Sequence, residues 1–318
     1  MVDTYGREIY YLRLSVTDRC NLRCRYCMPA EGVCKKSHEE MLTEDEMITA
    51  VEAAASLGIR KLRLTGGEPL VKRNILSICE RSAAVEGIKE VCMTTNGILL
   101  PRMAKDLKAA GVDRLNISLD TLNREKYTYI TRIGFLDDAL RGIEAALEAG
   151  FEHLKINVVL MGGVNDDEIP ALAELSRRYG ADVRFIELMP MTQNETIGPN
   201  AYLSGDAVLA ALPDLLPEEK KSDGVARLYR LPDAKGNVGL ISAVSSHFCA
   251  SCNRIRLTAD GKLKPCLHSD QEYDIKGLDY EGMRREIERV VQAKPACHPP
   301  LSAVERSNAG RNMNQIGG

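Results

Sequence analysis

Three cysteines lie within eight residues near the start of the chain, in the run Cys20-Asn21-Leu22-Arg23-Cys24-Arg25-Tyr26-Cys27. Thiolates are soft ligands that select iron–sulfur clusters or zinc. The run has no fourth cysteine, so a four-iron cluster held here would keep one iron open for a ligand from outside the protein. A zinc site or a redox pair is the alternative, but zinc sites usually show paired C-x2-C spacing. The spacing therefore favours a cluster.

A second group of three cysteines lies in the last quarter of the chain, at Cys249, Cys252 and Cys266. A predicted β-hairpin between the second and third of these returns the third thiol to the first two. Two interpretations compete: a zinc site completed by His247 or His268, or a second cluster with an open iron. Spacing alone favours zinc, whereas the presence of the first three-cysteine run favours a second cluster.

Composition and charge bound the class of protein. The chain has 318 residues, of which 44% are hydrophobic and 27% charged, enough for one large α/β domain or two smaller ones. A net charge of −3 gives no general attraction to nucleic acid or to an anionic membrane. We expect neither a signal peptide nor a membrane span. Ten cysteines then indicate a reducing, cytoplasmic compartment and metal ligands rather than disulfides.

Hydrophobic periodicity predicts strands that alternate with helices. Strands are predicted at residues 11–16, 61–65, 90–95, 114–119, 153–160 and 182–188, and helices at 43–57, 74–84, 101–110, 136–149 and 166–179. This alternation predicts βα units and a parallel sheet, either open or curled into a barrel. After residue 190 the pattern changes to a polar linker, a helix at 204–212, antiparallel strands at 226–231 and 238–241, the cysteine hairpin and a last helix at 280–293.

Several of these strands alternate apolar and polar residues, whereas a parallel strand buried on both faces should be apolar throughout. In strand 11–16, Leu12 and Leu14 alternate with Arg13; Arg63 and Lys155 take the same polar positions in strands 61–65 and 153–160. Because side chains alternate faces along a strand, one face packs on helices and the other is cationic. We therefore predict a barrel interior that binds something polar and anionic, with its site at the carboxyl ends of the strands. A half-exposed sheet with solvated charges is the alternative.

Five short motifs accompany the two cysteine groups: Leu14-Ser15-Val16-Thr17-Asp18-Arg19-Cys20, Leu64-Thr65-Gly66-Gly67-Glu68-Pro69, Thr94-Thr95-Asn96-Gly97, Asn116-Ile117-Ser118-Leu119-Asp120 and the terminal Gly317-Gly318. Taken together, they resemble the GTP 3′,8-cyclase family of molybdenum cofactor biosynthesis, within the radical S-adenosylmethionine (SAM) superfamily. The resemblance covers nearly the whole chain. It implies an α/β fold: an incomplete (βα)6 TIM-like barrel over residues 1–190 and a C-terminal extension, 191–318, that covers the open side of the barrel.

The resemblance also implies the site residues. A 4Fe–4S cluster that activates SAM would be held by Cys20, Cys24 and Cys27, and a second 4Fe–4S cluster, whose open iron binds the guanine base, by Cys249, Cys252 and Cys266. SAM would contact Tyr26, Gly67, Ser118 and Met189. GTP would contact Arg13, Arg63, Thr94, Lys155, Arg254, Ile255 and Arg256. Turnover would further involve Arg254, Arg256, Gly317 and Gly318. Three of the GTP contacts are the inward cations that the strand pattern indicates, and a triphosphate is the kind of ligand they need.

In the implied reaction, a 5′-deoxyadenosyl radical made from SAM takes hydrogen from C3′ of GTP. C3′ then bonds to C8 of the guanine, giving 3′,8-cyclo-7,8-dihydro-GTP. The implied partners are an electron donor, cyclic pyranopterin monophosphate synthase as acceptor of the product, and a second copy of the chain in a homodimer. The alternatives are another radical SAM enzyme with an auxiliary cluster, such as a peptide modifier, and a zinc-stabilised α/β binding module.

Overall fold

A computed structural model of the chain describes residues 1–33, 36–191, 197, 201–218, 224–302 and 305–317. Within residues 1–190, the described part forms six strands: β1 (Tyr11–Ser15), β2 (Lys61–Thr65), β3 (Glu90–Thr95), β4 (Arg114–Ser118), β5 (Lys155–Leu160) and β6 (Asp182–Glu187). The helices between them are α1 (Glu44–Ser56), α2 (Ile75–Ala84), α3 (Leu100–Ala109), α4 (Arg124–Thr131), α5 (Leu136–Glu148), α6 (Ile169–Ala173) and α7 (Leu175–Arg178).

The rest of the chain adds short elements: α8 (Asp206–Ala211), β7 (Leu216–Pro217), β8 (Arg227–Arg230), β9 (Val238–Ile241), β10 (Arg254–Leu257), β11 (Lys262–Lys264), β12 (Tyr273–Asp274) and α9 (Tyr280–Gln292). The last helix packs on α1, the first helix of the chain. No helix in the described residues is long and apolar enough to span a membrane.

All the described strands belong to one sheet, in the order β12-β11-β10-β1-β2-β3-β4-β5-β6-β9-β8-β7. The eight central strands, from β10 to β9, are parallel, and the outer ones pair antiparallel. The first and last strands of this order do not pair, so the predicted incomplete barrel is confirmed. Strands from both sides of residue 190 share the sheet, and a boundary between folding units at that residue stays a prediction.

The alternation in the strands separates the core from an interior surface, as predicted. Leu12 and Leu14 of β1 and Leu62 and Leu64 of β2 are at most 1% exposed and face the helices. The polar residues between them face the other side. The first helix begins as the sequence predicts, because the Thr43 hydroxyl accepts from the Glu46 amide at 3.2 Å and the Glu46 carboxylate accepts from the Thr43 amide at 2.8 Å. This reciprocal cap fixes the chain that follows the first cysteine loop.

Three local features differ from the prediction. The single helix expected at 166–179 is a 3₁₀ turn at Asp166–Glu168 followed by α6, which has Pro170 in its first turn, and by α7, which Glu174 separates from α6. Helix α4 was not predicted. Strand β10, which was predicted only as one arm of the cysteine hairpin, also lies parallel to β1, with Arg256 in register with Arg13.

Candidate active site

The inner face of the sheet encloses a cavity of about 590 Å³. Strand ends from β1 to β6 and residues of the hairpin β10–β11 both contribute to its wall. The predicted site residues that line it are Arg13, Cys20, Cys24, Tyr26, Cys27, Arg63, Gly67, Thr94, Ser118, Lys155, Met189, Arg254 and Arg256. One cavity thus contains the first cysteine loop and the inward cations.

The first cysteine loop is a tight turn fixed by neighbouring backbone. The amides of Cys27 and Met28 donate to the Cys24 carbonyl at 2.9 and 3.1 Å, and the Leu22 amide donates to the Cys20 sulfur at 3.3 Å. Burial raises the pKa of Cys20 to about 11 and that of Cys27 to about 12, and burial, with the neighbouring Cys27, raises the pKa of Cys24 well above its ordinary value. These three half-buried thiols each disfavour the anionic form, so a cationic centre is needed for all of them to become thiolates together. This donor set fits an iron–sulfur cluster.

Asp120 anchors the aromatic residue of that loop. Its carboxylate accepts from the Tyr26 hydroxyl at 2.8 Å and from the Val159 amide at 2.8 Å. Burial raises the pKa of Asp120 to about 6. The contact ties the cysteine loop to the ends of β4 and β5, and it fixes the direction in which Tyr26 faces the cavity.

The Gly-Gly-Glu-Pro turn after β2 passes directly under the first cysteine loop. A methyl group on Gly67 would overlap the Arg19 carbonyl oxygen and lie 2.8 Å from that of Asp18. Only glycine therefore allows this approach of two backbones. The Glu68 carboxylate accepts from the Asn96 amide at 2.7 Å and the Thr95 hydroxyl at 2.8 Å, which binds the turn to the end of β3. Burial raises the pKa of Glu68 to about 7.

Sheet register places the cations in a row across adjacent strands. Arg256 of β10 is opposite Arg13 of β1, which is opposite Arg63 of β2. The guanidinium of Arg63 donates to the Tyr11 hydroxyl and, at 3.4 Å, to the Thr94 hydroxyl, so it also orients a predicted contact residue on β3. The row is a product of the fold, because Arg13 is 50 positions from Arg63 and 243 positions from Arg256 in the sequence.

The charged forms of Arg13, Arg256 and Lys155 are destabilised by burial and by neighbouring cations. Burial also opposes the charged form of Arg63, but Tyr11 and Cys92 together outweigh it and raise the pKa of that residue. Burial, and next to it the charge of Arg256, lower the pKa of Arg13 well below its ordinary value. Burial and Arg254 lower the pKa of Arg256 to about 10, and burial and Arg184 lower that of Lys155 to about 7. Like charges held together at low dielectric constant repel each other. A polyanion in the cavity would remove this repulsion.

The second cysteine group lies at the base of the hairpin β10–β11. Cys249–Ser251 form a 3₁₀ turn in which the Cys252 amide donates to the Cys249 carbonyl at 3.1 Å. The buried ammonium of Lys294 donates to the Arg254 and Pro265 carbonyls at 2.8 and 2.7 Å and contacts the Cys252 sulfur at 3.7 Å. Lys294 therefore links the start of β10, which follows Cys252, with Pro265, which precedes Cys266. Burial opposes ionisation of Cys252, but Lys294 and Arg254 outweigh it and lower its pKa.

The histidines considered as zinc ligands lie together on this side. His268 is buried, its Nδ1 is 3.0 Å from the Ser307 hydroxyl, and its ring is 4.7 Å from that of His298, which is 4.5 Å from that of His247. Among the described residues, no three Cys, His, Asp or Glu side chains converge on one metal-ion position. The thiolates of a four-iron cluster each bind a different iron, so they need not converge in this way.

The C-terminal tail contributes Met313 to the cavity lining and contacts Arg256 of the cation row. Arg256 donates to the carbonyls of Ile316 and Gly317 at 3.2 and 3.0 Å, and Asn314 donates to the Asp18 carbonyl at 2.8 Å. A methyl group on Gly317 would lie 2.5 Å from the Thr65 hydroxyl. Gly318 lies outside the described residues. The tail thus bridges the loop before Cys20 and the cation row.

Some predicted contacts have a different setting, and some cavity residues were missed. Ile255 is fully buried in the hydrophobic core, so only its backbone could face a ligand. Cys249, Cys252, Cys266 and Gly317 are not part of the cavity lining. The cations missed by the sequence analysis are Arg60, Lys89, Arg114 and Arg184. Arg184 occupies an inward position of β6, so the same alternation that indicated Arg63 could have found it.

Comparison with known proteins agrees with this geometry. A model of the radical SAM superfamily matches residues 14–176, and a model described as Molybdenum Cofactor Synthesis C matches residues 181–300. The crystal structure of Streptococcus suis SuiB bound to S-adenosylmethionine is similar in fold, with a TM-score of 0.65 and 13% identity over 97% of this chain and 77% of that one.

Full-length relatives are much more similar in sequence. GTP 3′,8-cyclases of Alkaliphilus oremlandii, Heliobacterium modesticaldum and Thermodesulfovibrio yellowstonii are 48%, 47% and 45% identical, each over 100% of both chains. Similarity at this level over the whole length extends through both cysteine groups. The chain therefore belongs to the GTP 3′,8-cyclase family of the radical SAM superfamily.

Proposed function

We propose that this chain converts GTP to 3′,8-cyclo-7,8-dihydro-GTP, an early reaction of molybdenum cofactor biosynthesis. Membership of the radical SAM superfamily implies a 4Fe–4S cluster and SAM. The observation that carries the proposal is the single cavity in which a three-thiol loop meets a row of cations. When bound, the cluster and SAM supply the one-electron chemistry that removes a hydrogen atom from C3′ of the ribose.

At the first site, the chain positions the cofactor. Cys20, Cys24 and Cys27 would hold the cluster, and the groups proposed to contact SAM are Tyr26, Gly67, Ser118 and Met189. Their placement in the cavity wall supports this, as does the hydrogen bond with which Asp120 fixes Tyr26. Orientation of this kind keeps the reactive carbon and the C3′ hydrogen in line, which accounts for much of the rate in such reactions.

On the side of the cavity that carries the cation row, the chain is proposed to bind the triphosphate of the substrate. Arg13, Arg63, Thr94 and Lys155, with Arg254, Arg256 and the backbone of Ile255, would contact GTP. Guanidinium groups suit phosphate because they donate paired hydrogen bonds. Since the cations lower one another's pKa values in the free chain, a triphosphate both binds them and removes their mutual repulsion.

The second cysteine group is proposed to hold another 4Fe–4S cluster, on Cys249, Cys252 and Cys266, whose open iron would bind the guanine base. The hairpin geometry supports a soft-metal site near the cavity, because Arg254 both lines the cavity and gives its carbonyl to Lys294. Such a position would hold the base while the triphosphate lies on the cation row. Metal analysis would distinguish this cluster from a zinc ion bound at the same thiols.

The diglycine end is proposed to take part in turnover together with Arg256. Its support is the pair of hydrogen bonds to the Ile316 and Gly317 carbonyls from Arg256, which itself lines the cavity. If the tail must stay in this crowded position, one bulky residue added after Gly318 should abolish turnover and leave the iron content unchanged. Retained turnover in that variant would show that the end of the tail is not needed.

The reaction requires partners that the chain does not contain. We propose that an electron donor reduces the first cluster, and that the product passes to a cyclic pyranopterin monophosphate synthase. A homodimer is a further proposal, which light scattering of the cluster-loaded chain would test.

The proposal is tested anaerobically on chain reconstituted with iron and sulfide. SAM and a reductant are supplied with GTP, ATP or no nucleotide, 5′-deoxyadenosine is quantified, and deuterium transfer is followed from GTP labelled at C3′. We expect GTP-dependent formation with label transfer. If 5′-deoxyadenosine forms equally well without GTP, the assignment as a radical SAM enzyme stands and the assignment as a GTP 3′,8-cyclase is refuted. No cleavage in iron-loaded protein would contradict the cofactor assignment itself.

A further inference from the structure

An apolar patch lies on the outer surface where α4 ends and α5 begins. Three of the nine exposed large hydrophobic side chains in the described part of the chain fall here within seven residues: Tyr129, Ile133 and Phe135, which are 44%, 56% and 70% exposed. Single exposed hydrophobic residues are ordinary, but a group of them usually marks an interaction surface.

This patch is built directly on the first cysteine loop. The amides of Arg23 and Arg25 donate to the carbonyls of Thr131 and Ile130 at 3.0 and 2.9 Å, and the Arg132 guanidinium donates to the Arg23 carbonyl at 2.6 Å. The inner side of α4 shares a small cavity of about 30 Å³ with Cys24. Because a helix is about 10 Å across, the outer side of α4 lies roughly one helix width from the first cluster site.

The rim of the patch is basic. The Arg25 guanidinium stacks over the Tyr129 ring at 4.2 Å. Arg23 and Arg132 donate to backbone carbonyls and, among the described residues, to no carboxylate. Of the acids beside the patch on α4 and at the start of α5, Asp137 pairs with Arg124 and Asp138 with Arg141, which leaves the exposed Glu125 against three arginines. The net local charge is therefore positive.

We propose that the donor patch, formed by Tyr129, Ile133 and Phe135 with Arg23, Arg25 and Arg132 around them, binds a small acidic one-electron carrier protein that reduces the first cluster. The inference rests on the proposed function and names the surface its electron donor uses. One electron passes from the reduced carrier to the cluster, so the carrier leaves oxidised by one electron and no covalent bond changes.

Three properties of the patch fit this occupant. Redox complexes have small interfaces, so a few residues suffice. Aromatic and arginine side chains are the types enriched at the centres of such interfaces. A basic rim attracts an acidic carrier and accelerates its association. The position of the donor patch next to the first cysteine loop also fits, because electron transfer slows steeply with distance.

The test compares two reductants, the hydroquinone form of a bacterial flavodoxin and dithionite, on cluster-loaded chain. In the double variant Ile133→Ser/Phe135→Ser, we expect flavodoxin-driven 5′-deoxyadenosine formation to fall about tenfold, while the dithionite-driven rate is unchanged. Leu216→Ser is the matched control, since Leu216 is 60% exposed on β7 at the far edge of the sheet; neither rate should change. Added salt should slow only the flavodoxin-driven reaction.

Three results would overturn the proposal: an equal fall with both reductants, no fall with flavodoxin, or a native dimer that the double variant dissociates. Binding of oxidised flavodoxin, measured by calorimetry without SAM or GTP, gives a readout that does not depend on catalysis. If dithionite yields no 5′-deoxyadenosine with the native chain, the proposed function fails. The patch itself fails if the double variant binds flavodoxin as tightly as the native chain does.

Discussion

The buried ammonium of Lys294 links the two arms of the second cysteine group, and the variant Lys294→Met removes that link. The residue is 3% exposed and donates to the Arg254 and Pro265 carbonyls at 2.8 and 2.7 Å. Loss of the donor leaves two buried acceptors, at about 1–2 kcal/mol each. Relief from burying an ammonium group offsets part of this, so we expect the free energy of unfolding to fall by about 2 kcal/mol.

The metal content should change as well, because the Lys294 ammonium contacts the Cys252 sulfur at 3.7 Å and lowers the pKa of that thiol against the effect of burial. A chain with two clusters carries about eight iron atoms, and loss of one leaves about four. We expect Lys294→Met to approach the lower value after anaerobic reconstitution. SAM cleavage at the first site should continue but lose its dependence on GTP.

Iron and sulfide per chain, and thermal unfolding of the metal-free chain, measure the two effects separately. The matched control is Lys262→Met in the same hairpin, where a half-exposed ammonium pairs with Asp274 at the surface and removal should cost less than about 1 kcal/mol. Lys294→Arg should recover part of the iron. If Lys294→Met holds as much iron and unfolds at the same temperature as Lys262→Met, the reasoning from these contacts is wrong.

Three further expectations follow from single contacts. Gly67→Ala should lower SAM cleavage by about a hundredfold, because its methyl group overlaps the Arg19 carbonyl, whereas Gly310→Ala, with open space at its methyl position, should not; equal activity of the two would contradict the steric argument. Burial and Arg184 lower the pKa of Lys155 to about 7, so above pH 7 the free chain holds a neutral amine that must take up a proton when the triphosphate binds. GTP affinity by calorimetry should then fall by up to about tenfold per pH unit between roughly pH 7 and 9, and a slope that survives in Lys155→Arg would refute this origin. Arg311→Met removes paired hydrogen bonds to Asp260 and Glu272, and should cost about 1–3 kcal/mol and speed thermolysin cleavage within residues 305–317; unchanged cleavage would show that other contacts hold the tail.

The sequence was sufficient where the signal is local. Leu12, Leu14, Leu62 and Leu64 alternate with polar residues, and period two is a property of the strand itself, so both the core face and the inward cations could be predicted. The helix at α1 carries its own cap in Thr43 and Glu46. By contrast, the break between α6 and α7 leaves no clear local mark except Pro170, which is compatible with the start of a helix.

What sequence could not supply is long-range pairing. Nothing in Arg254-Ile255-Arg256-Leu257 indicates that this strand lies parallel to β1, some 240 residues earlier, because the register depends on packing of both faces. The position of the tail cannot be predicted from the sequence either, because residues near a chain end usually fray. In addition, Ile316 and Gly317 contact Arg256 through their backbone carbonyls. Carbonyls are common to all residues and therefore leave no pattern.

The pairing of β10 with β1 explains why the two segments of the sequence make one site. Arg13 and Arg63 come from the first segment and Arg256 from the second, yet they occupy consecutive positions of one register. Without β10, the Arg13 strand would be an exposed edge, and the cation row would end one residue short, at Arg13. Arg256 also donates to the Gly317 carbonyl of the tail, so the guanidinium that completes the row also fixes the tail next to the cavity. The Arg256 side chain thus couples the bound triphosphate, the hairpin and the tail. A change in the position of any one of them must alter the contacts of the other two.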